Sequence, residues 1–127
     1  MQDLRLFEYA VIRIVPRPER EEFVNAGVIL YCPGKKFLGM RMHLPEAKLK
    51  ALDPNLSMEE VSMHLQAFEE ICRGKNPDSP IAQLDNASRF RWLTATRSTI
   101  LQTSKVHPGL CEDPEVTLEK LFLEMVG

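Results

Sequence analysis

Apolar residues in the first third of the chain are grouped as in β-strands. Residues 7–15 and 23–32 are rich in β-branched and aromatic side chains, and a proline follows each run. The polar, proline-marked segment between the two runs predicts a β-hairpin with a long connection. A turn at residues 33–36 then leads into a third predicted strand over residues 37–42.

The strands of this hairpin do not alternate cleanly between apolar and polar residues. Strands that are apolar on both faces usually lie inside a sheet and are covered on both sides. We therefore expect other elements to pack against both faces of the hairpin. The apolar residues of the first strand are Ala10, Ile12 and Ile14 on one face and Tyr9, Val11 and Val15 on the other.

Helical patterns follow the third strand. Residues 45–52 form a short predicted helix, and residues 57–73 form the clearest helical pattern in the chain. Ser57 is the predicted N-cap of this longer helix, Glu60 completes a capping box, and Gly74 provides the stop. One apolar stripe runs along it at helical spacing: Met58, Val61, Leu65, Phe68 and Cys72.

The second half of the chain mixes helix and strand signals. Residues 80–87 begin with a proline at the first helical position and predict another short helix. Residues 90–95 predict a strand, and residues 99–103 are a further candidate strand before a turn signal at residues 107–109. A final helix, N-capped by Asp113, is predicted to run to the last residues.

Composition and element order together predict the fold class. The chain has 127 residues, of which 44% are hydrophobic, and a net charge of −2, so we expect one folded domain over residues 1–127. Strands early and helices later are typical of α+β proteins. We predict an antiparallel sheet of about four strands that starts with the long-looped hairpin and packs with three to four helices.

Several features favour a cytoplasmic protein. The apolar runs around residues 9–15 and 26–32 are far shorter than the ~20 residues of a membrane-spanning helix, and charged residues near the N-terminus argue against a signal peptide. Cys32, Cys72 and Cys111 are odd in number and widely spaced, which is typical of unpaired apolar cysteines in a reducing compartment. We expect no membrane segment, no metal and no other cofactor.

Polar residues interrupt the apolar hairpin strands at Arg13, Asn25 and Gly27, with Glu22 just before the second strand. If the loop closes symmetrically, Arg13 faces Asn25 and Val11 faces Gly27. One interpretation is a hydrogen-bonded set of Arg13, Glu22 and Asn25, and the other is a polar pocket beside Gly27. We favour the hydrogen-bonded set with Arg13 largely buried. The substitution Glu22→Ala is then expected to lower the melting temperature sharply.

A second polar cluster lies in the segment of residues 88–111, which contains no Asp or Glu. Arginine forks with hydroxyl donors beside a tryptophan suit phosphate or carboxylate oxygens. The alternative is a solvated positive rim that balances the acidic helices. Both interpretations stay open. The candidate ligand-binding residues are Arg89, Arg91, Trp92, Arg97, Ser98 and His107.

Motifs of known catalytic chemistry are missing from the sequence. It contains no phosphate-binding loop, dinucleotide fingerprint, zinc-protease motif or nucleophile elbow. A dyad of Ser98 and His107 can be drawn, but no third group is evident to orient the base. We therefore assign no catalytic residue and lean against an enzyme.

Four short motifs occur along the hairpin and the later segment. They are Tyr9 and Arg13; Glu22, Phe23, Asn25, Gly27 and Val28; Arg89, Phe90 and Trp92; and His107, Pro108 and Gly109. Together they resemble the domain of unknown function 3037 (DUF3037) family of small bacterial proteins. This resemblance implies a stand-alone bacterial cytoplasmic protein, often encoded beside a HipA-like kinase. It brings no established activity, cofactor or catalytic residue.

Three functions are compatible with these observations. The first is a non-catalytic binding or accessory module, with a HipA-like kinase as its partner. The second is a protein that binds a phosphate- or nucleotide-type anion through residues 88–111. An isoelectric point near 5.9 favours a small phosphorylated ligand over duplex nucleic acid. The third is an enzyme that uses Glu22 or His107 as its acid–base group.

Overall fold

The computed structural model describes residues 3–95 and 99–126. The strands are β1 (Arg5–Ile14), β2 (Val24–Cys32), β3 (Phe37–Met42), β4 (Leu101–Thr103) and β5 (His107–Cys111). The α-helices are α1 (Glu46–Leu52), α2 (Met58–Arg73), α3 (Asn86–Leu93) and α4 (Pro114–Met125). Single 3-10 turns occur at Pro18–Arg20, Pro33–Lys35 and Ile81–Gln83. The predicted α+β class is confirmed.

The five strands form one antiparallel sheet in the order β3-β2-β1, and β4 and β5 share the remaining edge of β1. β4 pairs with residues 12–14 of β1 and β5 with residues 5–9. Ser104 bridges the gap between them, because its N–H donates to the Val11 carbonyl at 2.8 Å and its buried hydroxyl accepts the Val11 N–H at 2.8 Å. β4 and β5 therefore act as one interrupted fourth strand.

Both faces of the sheet are covered, as the two-sided apolar strands predict. Ala10, Ile12 and Ile14 of β1 pack in one buried cluster with side chains of α1, α2 and α3. Phe7 and the other face of β2 pack in a second cluster with Leu118 of α4. Within the described ranges, no helix is both long and apolar enough to cross a membrane.

Helix ends follow their local signals. Ser57 Oγ accepts the N–H of Glu60 at 3.2 Å, and Gly74 ends α2 with a φ of 66°. Asp113 Oδ1 accepts the N–H of Glu115 at 3.0 Å and begins α4. These predictions are confirmed because each depends only on residues within one helical turn.

The predicted strand over residues 90–95 is wrong, because α3 covers most of that segment. Asp85 accepts the N–H of Ser88 at 2.8 Å and thereby caps the helix. Phe90 and Leu93 follow at helical spacing and are both buried against the sheet. Tertiary burial of this face outweighs the β-like composition of the segment.

Two neighbouring predictions change with it. The helix expected over residues 80–87 is a 3-10 turn at Ile81–Gln83, and the turn expected at residues 107–109 belongs to β5. A proline is tolerated in β5 because this strand lies at the edge of the sheet, where the nitrogen of Pro108 can face away from β1. The candidate strand over residues 99–103 is confirmed in part as β4.

The hairpin register is confirmed at its loop end and shifted further along. Arg13 lies opposite Asn25, as predicted. A β-bulge then inserts one extra residue into β2, so Gly27 lies opposite Ile12 and not opposite Val11. The expected bulge or close approach at Gly27 is therefore present.

Gly27 is needed because β3 passes very close to it. A Cβ at this position would collide with the carbonyl oxygen of Arg41 and would lie 2.9 Å from the Cβ of Met42. Both contacts are with atoms that cannot rotate away, so a larger residue must push β2 and β3 apart.

The substitution Gly27→Ala is expected to lower the free energy of unfolding by about 2–3 kcal/mol, since overpacked sites of this kind force the backbone to move. Urea unfolding measures the change. Gly34→Ala is the matched control, because its Cβ would meet only the flexible Arg5 side chain at 3.0 Å. Equal stability of the two variants would contradict the close packing of β2 on β3.

Candidate functional site

The hairpin cluster does not assemble as expected. Glu22 Oε1 pairs with Arg20 Nε at 2.7 Å on the loop surface, and Asn25 Nδ2 donates to the carbonyl oxygen of Met125 at 3.1 Å. No hydrogen bond joins Arg13 to Glu22 or Asn25 among the described residues, so the predicted hydrogen-bonded set is wrong. The reason is the 3-10 turn in the loop, which places Arg20 within reach of Glu22.

Arg13 is held by an aromatic ring instead of a carboxylate. Its guanidinium carbon lies 4.2 Å from the centroid of the Phe23 ring, a cation–π geometry. The residue is half-buried, and its buried Nε has no hydrogen-bond partner in the described part of the chain. The same holds for the buried Asn25 Oδ1 on the opposite strand. The contact between Arg13 and Phe23 therefore joins the two strands at the loop end of the hairpin.

The alternative interpretation, a polar pocket beside Gly27, is not supported, because Asn25 and Gly27 do not line the same cavity. A cavity of about 380 Å³ includes Phe23, Asn25 and Lys48 in its lining. Gly27 is not part of this lining, because its free side is filled by the β3 backbone. Among the described residues of the predicted anion site, Arg89, Arg91, Trp92 and His107 do not line this cavity either.

The substitution Glu22→Ala is now expected to change the free energy of unfolding by less than about 1 kcal/mol, since the carboxylate belongs to an exposed ion pair. Asn25→Ala removes a half-buried bond to the end of α4 and is expected to cost more. Chemical denaturation of both variants provides the comparison. A larger loss for Glu22→Ala than for Asn25→Ala would contradict the observed pairing.

Arg89 serves the connection between α2 and α3. Its Nη1 donates to the Leu84 carbonyl at 2.7 Å and its Nη2 donates to Asn86 Oδ1 at 2.6 Å. The guanidinium also packs against Gly74 at the end of α2. Two of its nitrogens are therefore occupied inside the chain.

Arg91 is paired with a carboxylate that the sequence analysis did not consider. Both of its terminal nitrogens donate to Glu8 of β1, at 2.7 and 3.0 Å. These hydrogen bonds to Glu8 raise the pKa of Arg91 above its usual value. The pair is 83 residues apart in the chain and forms only because α3 lies across β1, so no local signal could reveal it.

The other predicted anion-site residues are dispersed. Trp92 is 38% exposed and lines a small cavity between α2, α3 and β4. The ring of His107 contacts the ring of Tyr9 at 5.4 Å, on the face of the sheet opposite the Glu8 side chain. Arg97 and Ser98 lie outside the described residues. Anion binding by this segment stays a prediction.

A larger concave feature lies at the opposite edge of the sheet. We call it the edge groove: a cavity of about 590 Å³ lined by residues 37–41 of β3, the end of α2 and the first half of α4. Among the described residues, β3 pairs with β2 alone and is therefore an edge strand, with α4 on one face and α2 and α3 on the other. The sequence analysis missed this feature because a groove at a strand edge depends on strand order.

The outer edge of β3 presents unpaired main-chain groups. The His43 N–H donates to the Ala26 carbonyl at 2.7 Å, which fixes which residues of β3 point towards β2. Because hydrogen-bonded and non-hydrogen-bonded pairs alternate, the N–H and C=O groups of Leu38, Met40 and Met42 point away from the sheet. Among the described residues, these groups have no hydrogen-bond partner.

The α4 side of the groove is acidic. Glu119 Oε2 lies 2.7 Å from Arg41 Nη1, and the Asp113 side chain caps the helix. Glu115 has no ion pair or side-chain hydrogen bond within the described ranges. Three carboxylates thus face one arginine on this side, with Arg73 on the opposite side paired to its own helix.

The α2 side of the groove is apolar except for Arg73, which is paired to Glu69 of its own helix. Leu38 and Met40 turn their side chains to this face and pack in the first buried cluster. Cys72 lies beside them, and burial raises the pKa of its thiol to about 12, so the thiol stays protonated and uncharged at neutral pH. The groove therefore combines an apolar side, an acidic side and an unpaired strand edge as its floor.

This combination suits a polypeptide more than a reactive small molecule. Among the described residues, no three His, Cys, Asp or Glu side chains are placed to hold a metal ion. Main-chain donors and acceptors at a strand edge are the groups that bind another strand.

A family model matches residues 9–126 of the chain and carries the description "Protein of unknown function (DUF3037)". Neither a curated protein nor a solved structure matches the chain.

Proposed function

The chain belongs to the DUF3037 family, and we propose that it is a non-catalytic protein-binding accessory module of the bacterial cytoplasm whose partner is a HipA-like kinase. The observation that carries the proposal is the edge groove, where an unpaired strand edge lies between two helices. Such an edge is a liability for a free protein unless it is covered or used. The kinase as partner rests on the family resemblance.

The two edges of the sheet support this choice of surface. The β4 and β5 edge is interrupted around Ser104 and carries Pro108, which has no N–H to offer an added strand. β3 is a continuous strand of six residues without proline. Only one of these edges therefore keeps a regular ladder of main-chain groups.

Anion binding by residues 88–111 receives less support. Arg89 and Arg91 already donate to groups of the chain itself, and a ligand would have to compete with the bidentate Glu8. Fluorescence of Trp92 during titration with nucleotides distinguishes this alternative, because a saturable, salt-sensitive change would favour it.

Co-expression with a HipA-like kinase from the same genome is expected to give a complex that survives affinity purification and gel filtration at micromolar concentration. Val116→Lys, which places a positive charge on the acidic α4 side of the edge groove, is expected to weaken the complex at least about tenfold. Leu123→Lys is the matched control, because both residues are exposed on α4, at 64% and 65%, and of the two Val116 alone lines the groove.

Reproducible failure of the kinase to associate with the unmodified chain would refute the proposed partner. An equal effect of the two substitutions would refute the groove as the binding surface.

A further inference from the structure

We infer that the edge groove binds its partner by strand addition, taking an extended segment in which apolar residues directed to α2 alternate with basic residues directed to α4. The inference deepens the proposed function and rests on it. Its basis is the juxtaposition of an open strand edge, an apolar side and an acidic side in one groove.

The main-chain part of the recognition comes from β3. Leu38, Met40 and Met42 each direct one N–H and one C=O away from β2, as the His43 to Ala26 hydrogen bond requires. A segment of five or six residues laid along this edge can form up to about six hydrogen bonds, two with each outward residue. These bonds carry affinity without regard to side chains.

The side-chain part follows from the period of a strand. Successive side chains of an added strand point to opposite faces of the sheet, as they do in β3 itself. Those on the face of Leu38 and Met40 meet the buried Cys72 and the apolar side of the groove. Arg73 on this side would repel a basic side chain, and an acidic one would have to compete with Glu69 for it, so apolar residues are preferred.

Side chains on the other face meet α4. Asp113, Glu115 and Glu119 line this side, and Arg41 neutralises only one of the three. A lysine or arginine of the partner can approach Glu115, whose carboxylate has no other side-chain contact in the described part of the chain. The excess of carboxylates selects a basic residue and rejects an acidic one.

A second copy of the chain is a poorer occupant than a separate extended segment. In each copy, β3 lies between α2 and α4. Antiparallel pairing of two such edges would place the α4 sides of both copies on the same face, where their carboxylates repel one another. A segment that carries basic residues meets no such repulsion.

The first test uses two labelled eight-residue peptides, one alternating valine with lysine and one alternating valine with glutamate. Fluorescence anisotropy with the full chain is expected to show at least about tenfold tighter binding of the lysine peptide. Glu115→Lys is expected to weaken that binding about fivefold or more. Glu124→Lys changes the net charge equally on an exposed site of the same helix outside the groove and is expected to leave binding nearly unchanged.

The second test asks whether the bound peptide is a strand. N-methylation of all valines and N-methylation of all lysines remove opposite sets of main-chain donors from the lysine peptide. Only alternate N–H groups of a strand face its neighbour. One of the two methylated peptides is therefore expected to bind at least about tenfold more weakly, and the other less than about threefold more weakly. Loss on valine methylation indicates an antiparallel added strand, and loss on lysine methylation a parallel one.

Equal effects of the two methylations, equal affinity for the acidic peptide, or equal effects of Glu115→Lys and Glu124→Lys would each overturn strand addition. A concentration-dependent dimer of the free chain that Val116→Lys disrupts would also overturn it, in favour of a second copy in the groove. The peptide tests and the kinase experiment can fail independently. If the kinase binds but the peptides show no selectivity, strand addition is wrong and the proposed partner stands. If the peptides show selectivity but the kinase does not bind, the kinase is the wrong partner and strand addition stands.

Discussion

β1 is hydrogen-bonded along both of its edges and packed on both of its faces, and the remaining structure is arranged around that requirement. β2 occupies one edge, and β4 and β5 divide the other at Ser104. The helices α1 to α3 bury one face and α4 buries the other. A strand enclosed in this way is mostly apolar, and its charged residues need partners within the fold. Arg13, near its end, packs on the Phe23 ring, and Glu8 forms a bidentate pair with Arg91.

Because both edges of β1 are paired, the unpaired main-chain groups of the sheet lie on its outer strands. On one side, the break between β4 and β5 and the proline in β5 limit further pairing. On the other side, β3 keeps a regular ladder, and the end of α2 and the first half of α4 form the sides of a groove along it. Two-sided coverage of the centre thus produces both the stability of the fold and its one regular strand edge. The proposed binding function is a consequence of this asymmetry.

Features that depend on a few neighbouring residues could be predicted from the sequence, and features that depend on distant contacts could not. The first kind includes the caps at Ser57 and Asp113 and the strand register that places Arg13 opposite Asn25. The helical state of residues 90–93 is of the second, because burial of Phe90 against the sheet decides it. The partner of Arg91 is also of the second kind.

The candidate site was less accessible to sequence analysis than the fold. Arginines in a sequence indicate a possible anion site, but Arg89 and Arg91 donate their hydrogen bonds to groups within the chain. No sequence motif marks the edge groove, because the groups it offers to a partner are mainly backbone N–H and C=O groups of β3. Leu38 and Met40, which carry some of them, turn their side chains to the core. Only the strand order, which places β3 at the edge, reveals it.

The central claim is that the outer edge of β3 is unpaired in the free protein. Native-state amide hydrogen exchange, followed by NMR, tests it residue by residue. The account predicts an alternation along β3, with fast exchange at Leu38, Met40 and Met42 and slow exchange at Gly39 and Arg41. Uniformly slow exchange along the strand would mean that its outer edge is already covered and would contradict the account.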